Sequence, residues 1–247
     1  MIQINLFTLN QLQVMFDLQH KCNKLLIAED YVENTPENVD FNLAADKEFF
    51  ESFDHLNYKW WKKDLISLSQ YALEMVDVIH FIISEAIVRS AQNRGMSVSD
   101  AAEFTFSHSN DETRKNMLNE FSAVLQAELN EKGNTVDEIL VYITAGQRES
   151  FVSGNLIDKL QIALTMAQLA GCTVEDVFNK YVAKNVLNIF RASNGYKDGT
   201  YIKIWNGKED NHYIEKFMQT NDMSQPDAVE QLNAYLTTTY ALVKAGA

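Results

Sequence analysis

The sequence is poor in the residues that make tight turns, with 9 glycines and 2 prolines among 247 residues. Sandwiches and barrels need turn-forming residues at short intervals, so this scarcity disfavours both and favours an all-α fold. The 2 cysteines, Cys22 and Cys172, lie far apart in apolar contexts, which leaves neither a disulfide framework nor a cysteine-based zinc motif. We therefore expect an all-α protein that is cytoplasmic.

Basic residues are scarce as well, with 21 lysines and arginines against 34 aspartates and glutamates and a formal net charge of −13. A groove for DNA or RNA carries the opposite sign, so we expect no nucleic-acid partner. Charged residues interrupt every window of about 20 residues. The N-terminal MIQINLFTLN also lacks the basic start and small-residue cleavage site of a signal peptide. These features predict neither a membrane span nor export.

Apolar residues recur at three- and four-residue steps in several segments, and this period predicts a helical bundle core of about four to six helices. Segment 71–94 is apolar around most of its circumference, so we expect it to be the central helix. The other predicted core helices span 9–26, 43–63, 155–170 and 174–192, and a last helix begins near Ser224 and Pro226.

Two stretches differ from this core in composition. Residues 96–154 are more polar, and we interpret them as an accessory helical insertion with helices over 111–131 and 135–146, inside a single domain that spans 1–247. Segment 195–211 holds three of the nine glycines, so we expect a shaped loop or a short extended piece there.

Two acidic pairs have the i,i+3 spacing that places both side chains on one side of a helix: Glu48 with Glu51, and Glu74 with Asp77. If the two helices pack side by side, the four carboxylates meet, and such hard oxygen ligands suit Mg²⁺ or Mn²⁺. About five such pairs arise by chance in so acidic a chain, and a solvated face is the simpler interpretation of Glu48 and Glu51. Glu74 and Asp77 interrupt an apolar helix, where a carboxylate needs a cation or donors; the alternative there is a polar stripe shared with Glu85.

Two amide side chains, Gln19 and Asn23, fall one turn apart in the middle of an apolar helix face. A side-chain amide offers both a donor and an acceptor, which suits the edge of a pyrimidine base. The alternative is a pair of buried amides bonded to neighbouring backbone.

One basic island interrupts the acidic chain between residues 180 and 208, where Asp198 is the single acid. Its cations are Lys180, Lys184, Arg191, Lys197, Lys203 and Lys208. Lysine and arginine heads neutralise phosphate oxygens, and nearby glycines let the backbone close on a ligand, so the island is a candidate polyphosphate site. A basic surface patch is the alternative.

The same residues carry a resemblance that is spread along the chain. The relevant motifs are Gln19-x-x-x-Asn23, Glu48-x-x-Glu51-x-x-Asp54 followed by Tyr58-Lys-Trp-Trp-Lys62, Glu74-x-x-Asp77, and the segment Lys184 to Asn211, KNVLNIFRASNGYKDGTYIKIWNGKEDN. Together they resemble the all-α, or dimeric, dUTPases within the MazG-like all-α nucleoside triphosphate pyrophosphatases. Tyr58 departs from the usual Trp, and residues 96–154 carry no motif that matches.

The resemblance implies a Mg²⁺-dependent dUTP diphosphatase that converts dUTP and water to dUMP and pyrophosphate, acts also on dUDP, and forms a homodimer. It implies metal binding by Glu48, Glu51, Glu74 and Asp77, with Mn²⁺ as a substitute for Mg²⁺. It implies uracil contacts from Gln19, Asn23 and Trp61, phosphate contacts from Lys184, Arg191 and Lys197, and sugar or phosphate contacts from Asn188, Asn194 and Tyr196. In the implied mechanism, Glu51 or Glu48 holds a metal-activated water that attacks the α-phosphorus, and we expect Glu51 to be the base.

Two alternatives remain open at the level of sequence. A dCTP or combined dCTP/dUTP pyrophosphatase shares the carboxylate and Lys-Asn motifs, and a Gln or Asn side chain can serve either base edge. A non-catalytic helical interaction module would use the same acids as a solvated face.

Overall fold

Helices form most of the regular structure in this computed structural model, which describes residues 4–56, 66–110, 136–221 and 227–245 and a few single residues between them. The helices are α1 (Leu9–Leu26), α2 (Phe41–Glu51), α3 (Leu68–Arg94), α4 (Val98–Ser109), α5 (Val136–Ser153), α6 (Leu156–Leu169), α7 (Val174–Ser193), α8 (Asn211–Met218) and α9 (Ala228–Ala245). The predicted all-α class is therefore confirmed. In the described part of the chain, no helix is long and apolar enough to cross a membrane.

The ends of the core helices carry the capping residues that such ends require. Thr8 and Thr173 each close a capping box at the start of α1 and α7. Gly95 ends α3 in the left-handed conformation (φ 64°), which glycine adopts without steric cost. These signals explain why the predicted boundaries of α1, α3 and α7 agree closely with the observed ones.

The central position of α3 is confirmed. It packs against α1, α2, α4, α6 and α7, and buried side chains occupy most of its circumference. Because α2 lies along α3, the acidic residues of these two helices face a common space. The main apolar core surrounds α3 and includes Phe16, Phe49, Ile79 and Leu164.

The predicted helix over 43–63 is wrong beyond Glu51. The α-helix ends there and a 3₁₀ helix, Ser52–His55, follows, after which Leu56 is extended (φ −113°, ψ 138°). The buried Ser52 hydroxyl donates to the carbonyl of Phe49, and Leu56 is buried, so the chain turns back onto the core instead of continuing as a helix. The apolar period alone does not reveal this turn.

The segment predicted to be accessory contributes to the main core. α4 is an unpredicted helix that packs on α1 and α3, and α5 continues to Ser153 instead of stopping at Gly146. The Tyr71 hydroxyl and Thr144 Oγ1 are 2.8 Å apart where α3 meets α5. The predicted helix over 111–131 lies outside the continuously described residues, and the assignment of 1–247 to one domain stays a prediction.

The glycine-rich segment forms the expected shaped loop with a short hairpin. Strands β1 (Ile204–Trp205) and β2 (Lys208–Glu209) pair antiparallel, and both turn residues, Asn206 and Gly207, have positive φ (47° and 79°). Gly195 has a φ of 91°, which L side chains rarely adopt, and a Cβ there would also meet the Thr200 hydroxyl, so a substitution at this position is strained. The hairpin, α8 and α9 pack on the second half of α7 and form a second apolar core around Trp205, Leu232 and Leu236. Ser224 and Pro226 lie outside the described residues.

Candidate active site

One cleft of about 570 Å³ collects most of the predicted site residues. Its walls come from α1, α2, α3, α7 and the hairpin segment. The predicted residues that line it are Gln19, Asn23, Glu48, Glu51, Glu74, Asp77, Lys184, Asn188, Arg191 and Tyr196. A volume of this size suits a nucleotide-sized ligand.

Carboxylates from α2 and α3 meet on one wall of the cleft. Glu48, Glu74 and Asp77 each place one oxygen within 4.8 Å of the others. Burial, and then the negative charge of Asp77, raises the pKa of Glu48 to about 8. Three carboxylates this close together could hold a divalent cation, because a cation relieves their repulsion.

Glu51 lies at the edge of this acidic trio, at the C-terminal end of α2. Its Oε1 is 2.6 Å from Lys47 Nζ, and its side chain is 48% exposed. The Lys47 ammonium is also 3.7 Å from Glu48. Glu51 therefore shares the cleft with the trio but is paired with a lysine, and its predicted roles as ligand and base stay predictions.

The acidic trio is tied to the surrounding elements by two basic side chains. His55 Nε2, on the 3₁₀ turn, is 3.1 Å from Glu74 Oε1. Lys184 Nζ, on α7, is 2.9 Å from Asp77 Oδ2 and donates to Asn211 Oδ1 at 3.2 Å. Lys184 is 5% exposed. Its contact with Asp77 places this predicted phosphate ligand where the acidic trio meets the basic residues of the cleft, which we call the basic wall: Lys184 and Arg191 of α7 and Lys203 of the hairpin segment.

A buried polar network occupies another part of the cleft. Gln19 Nε2 donates to Asn23 Oδ1 at 2.9 Å, and Asn23 Nδ2 donates to Ser84 Oγ at 3.0 Å. The Tyr181 hydroxyl donates to Gln19 Oε1 at 3.0 Å. The two amides are thus satisfied mainly by side chains of α3 and α7 and not by neighbouring backbone. The network fixes their orientation.

His80 belongs to the same network and was not identified from sequence. Its Nδ1 is 2.7 Å from Gln19 Oε1 and 3.1 Å from Asn185 Nδ2, so the ring is held between α1 and α7. Burial lowers the pKa of His80 to about 3, so the ring is neutral. Nε2 is buried and has no hydrogen-bond partner among the described residues.

The basic wall is organised around Arg191. Its guanidinium donates to both carboxylate oxygens of Asp210, from Nε at 2.8 Å and from Nη2 at 2.6 Å, and from Nη1 to Asn188 Oδ1 at 3.0 Å. Burial disfavours the charge of Asp210, but the Arg191 guanidinium outweighs it and lowers the pKa of that carboxyl. The predicted phosphate ligand Arg191 is therefore held in an internal ion pair at the cleft surface.

Three predicted residues, Trp61, Asn194 and Lys197, are not among the described lining residues of the cleft. The Trp61 side chain is 62% exposed, with its ring edge-on to Tyr58 at 6.1 Å. Asn194 Nδ2 donates to the carbonyl of Phe190. Lys197 Nζ donates to the carbonyl of Ile27, which is itself a lining residue, so Lys197 lies at the rim.

The cleft also contains His80, which sequence reasoning did not single out, and Lys203 and Asn211, to which it gave no individual contact. His55 and Asp210 act on it from just outside the lining. Lys203 was visible as part of the basic island, and Asn211 as the end of the C-terminal motif. No spacing signal marks His55, because it lies on a 3₁₀ turn inside a predicted helix.

An all-α fold with an acidic trio, a basic wall and a buried amide network around one cleft defines a helical enzyme of the nucleotide-hydrolysing class. The family model described as dUTPase matches residues 11–196, about three quarters of the chain. The chain belongs to this family of all-α dUTPases and is a dUTP diphosphatase. The interpretation as a non-catalytic interaction module is therefore wrong. No curated protein matches the chain.

Proposed function

We propose that the chain hydrolyses dUTP to dUMP and pyrophosphate in this cleft, with Mg²⁺ or Mn²⁺ held by Glu48, Glu74 and Asp77. The observation that carries the proposal is the arrangement of the cleft, in which the acidic trio and Lys184 lie 2.9 Å apart at their nearest atoms. A triphosphate needs such a junction, because its oxygens are shared between a cation and basic side chains.

The polar network supports recognition of uracil at one end of the cleft. His80 lines the cleft beside the two amides and would help to shape the base pocket. Gln19 and Asn23 would contact the exocyclic oxygens from orientations that Tyr181 and Ser84 fix. The match to the dUTPase family supports dUTP over dCTP as substrate. Trp61 would reach the base only from beside the lining.

The α-phosphorus would lie next to the acidic trio. A bound divalent cation would supply charge neutralisation and lower the pKa of a water ligand. In our proposal, a Glu51 carboxylate oxygen accepts the proton of the attacking water after Lys47 has turned away. Both dUTP and dUDP present the same base and α-phosphorus, so we propose that dUDP is hydrolysed too, to dUMP and phosphate.

The basic wall would hold the leaving group. Lys184 and Arg191 would offset charge on the departing pyrophosphate, and Lys197 would add a cation at the rim. Asn188 and Tyr196 line the cleft between these groups and would contact the sugar and phosphates, with Asn194 behind them.

We further propose a cytoplasmic homodimer without a nucleic-acid partner. Leu43 and Phe50 are spaced i,i+7 on the outer face of α2 and are 66% and 44% exposed, so this face is apolar surface that a second copy would cover. Sedimentation of the purified chain tests the dimer.

Release of pyrophosphate from each deoxynucleoside triphosphate, with and without Mg²⁺, tests the reaction. We expect hydrolysis of dUTP that requires the metal, and discrimination against dTTP and purine nucleotides of about 10³ or more in kcat/KM. Equal rates on dCTP and dUTP would overturn the proposed preference for uracil, and equal rates on all nucleotides would overturn the proposed base recognition by this cleft.

A further inference from the structure

Asp210 is a fully buried carboxylate at the junction between the hairpin and α8. Besides the two bonds from Arg191, it accepts a hydrogen bond from the Tyr201 hydroxyl at 2.8 Å and one from the backbone N–H of Asn211 at 2.9 Å. Its own backbone N–H donates to the carbonyl of Lys203. A buried charge is costly unless every lone pair is used, and here both oxygens are used. It lies near the end of the motif segment Lys184 to Asn211, beyond residues 11–196 that the family model matches.

The contacts of Asp210 fix the orientation of the Arg191 guanidinium. An arginine has five N–H donors in one plane, and the bonds to Asp210, Asn188 and Asn211 engage four of them. The remaining Nη1 hydrogen has no partner in the described part of the chain. Because the bidentate pair with Asp210 sets the plane, it also sets where that last donor points.

Asn211, the next residue along the chain, also contacts Lys184, the second cation proposed to bind phosphate. Asn211 Oδ1 accepts from Lys184 Nζ at 3.2 Å and from Arg191 Nη2 at 3.4 Å. Lys184 in turn contacts Asp77 of the acidic trio. Asp210 and Asn211 therefore connect the hairpin to both cations of α7 and, through Lys184, to the carboxylates.

We propose that Asp210 is a positioning residue for phosphate binding, which acts by holding the Arg191 guanidinium with one edge turned to the cleft. The inference rests on the proposed function, since it needs a triphosphate in this cleft. Asp210 does not touch the substrate. It determines how well Arg191 contacts the phosphates, and its effect should be confined to ligands that carry the β- and γ-phosphates.

A purely structural ion pair would join the hairpin to α7 without any preference among ligands. The two roles separate if binding of a non-hydrolysable dUTP analogue is compared with binding of deoxyuridine, which has no phosphate. A loosened hairpin would weaken both ligands. A misplaced guanidinium would weaken only the analogue.

The experiment measures the Kd of both ligands and the kcat and KM for dUTP, in the full chain with Mg²⁺, for wild type and Asp210→Asn. We expect the Kd of the analogue to rise about 10-fold or more, since a displacement of about 1 Å in a binding group has effects of this order. The Kd of deoxyuridine should change less than about two-fold. Glu103→Gln, an equal loss of charge on the exposed face of α4 and outside the cleft lining, should leave both values unchanged.

If circular dichroism shows that Asp210→Asn folds poorly, two further variants test the inference. Tyr201→Phe removes one hydrogen bond to Asp210 while retaining the ring, and should weaken the analogue alone, by about three-fold. In an Arg191→Lys background, Asp210→Asn should add little, because the residue acts through Arg191.

The outcomes also separate this inference from the proposed function. If the wild type binds no dUTP analogue, the proposed function fails first. If the wild type binds it and Asp210→Asn binds it equally well, or weakens both ligands alike, the inference is overturned while the proposed function stands.

Discussion

At the scale of single residues, the acidic trio determines what the cleft can bind. Glu48, Glu74 and Asp77 place oxygens within 4.8 Å of one another, close enough for their charges to repel, and burial together with the charge of Asp77 raises the pKa of Glu48. Nearby cations offset part of this repulsion: Lys184 contacts Asp77 at 2.9 Å, and Lys47 lies 3.7 Å from Glu48. The remaining negative charge attracts a divalent ion.

Glu74→Gln tests this charge directly. The substitution keeps the size of the side chain and removes one ligand charge, so turnover of dUTP should fall by about 10² or more. Glu103→Gln, on the exposed face of α4, is the control and should retain activity. Near-normal turnover of the Glu74→Gln variant, with an unchanged circular dichroism spectrum, would remove Glu74 from the metal site.

His80 makes stability depend on pH in a direction that can be measured. Burial lowers its pKa to about 3, against about 6.5 for an unfolded histidine, so the unfolded chain binds the proton more readily. The stability that neutral His80 contributes is complete above pH 6.5 and is lost progressively as pH falls towards 3. The loss between pH 7.5 and pH 5 should be about 2 kcal/mol in the free energy of unfolding.

Urea denaturation at pH 7.5 and at pH 5 measures this term. The difference between the two pH values should shrink by about 2 kcal/mol in His80→Gln, since glutamine does not titrate. His20→Gln should shrink it less, because burial lowers the pKa of that partly exposed ring by less. An unchanged difference in the His80→Gln variant would contradict a neutral, buried His80.

At the scale of elements, the helical period and the capping residues predicted most of the helices. They did not predict the places where the chain reverses direction. Segments 9–26, 71–94 and 174–192 were predicted within a few residues, because Thr8 and Thr173 cap the starts of α1 and α7 and Gly95 ends α3 by local chemistry. The turn after Glu51 was missed because the burial of Leu56, a tertiary effect, overrides a continuing apolar period. The hairpin had a local signal in Asn206-Gly207, the pair that favours a two-residue turn.

The position of α2 depends on a buried ion pair that the sequence does not mark. Lys159 Nζ, on α6, is 2.6 Å from Asp46 Oδ1 and 5.1 Å from the centre of the Phe151 ring. The lysine side chain is 4% exposed. Since Asp46 is two residues before Glu48, the pair also helps to place the acidic trio.

Lys159→Met should lower the free energy of unfolding by about 2 kcal/mol. It leaves Asp46 in a largely buried place without its cation, and the partial exposure of Asp46 reduces the loss below that of a fully buried pair. Urea unfolding followed by circular dichroism measures the change. Lys21→Met on the exposed face of α1 should stay within about 0.5 kcal/mol of wild type. A Lys159→Met variant as stable as wild type would show that the pair contributes no net stability.

At the scale of the whole molecule, the candidate site lies where the two apolar cores meet. α7 belongs to both: Val177 and Tyr181 pack in the main core, and Val186 and Phe190 pack in the second. The acidic trio stands on helices of the main core, whereas the hairpin is attached to the second.

Residue types and helical spacing could predict the trio, the amides and the two cations, because each set lies on one helix or on two that pack together. The pairings of His80, His55 and Asp210 could not be predicted, because they join segments distant in sequence.

This arrangement predicts that nucleotide and metal together should stabilise the hairpin. Lys203 and Asn211 line the cleft, and the hairpin is otherwise held by a two-residue ladder and by its contacts with the second core. A ligand that spans both walls adds contacts that the open hairpin lacks, so amide exchange over residues 197–211 should slow about 10-fold or more with a non-hydrolysable dUTP analogue and Mg²⁺. Deoxyuridine alone, which reaches neither cation, should leave this exchange unchanged.

Hydrogen exchange read by mass spectrometry gives the measurement, with the amides of α4 as an internal reference remote from the cleft lining. A thermal shift under the same conditions establishes that the analogue is bound. If the analogue raises the melting temperature while the hairpin exchanges as before, the triphosphate is held by the main core alone. The basic wall would then be a surface feature of the second core, with no part in binding the substrate.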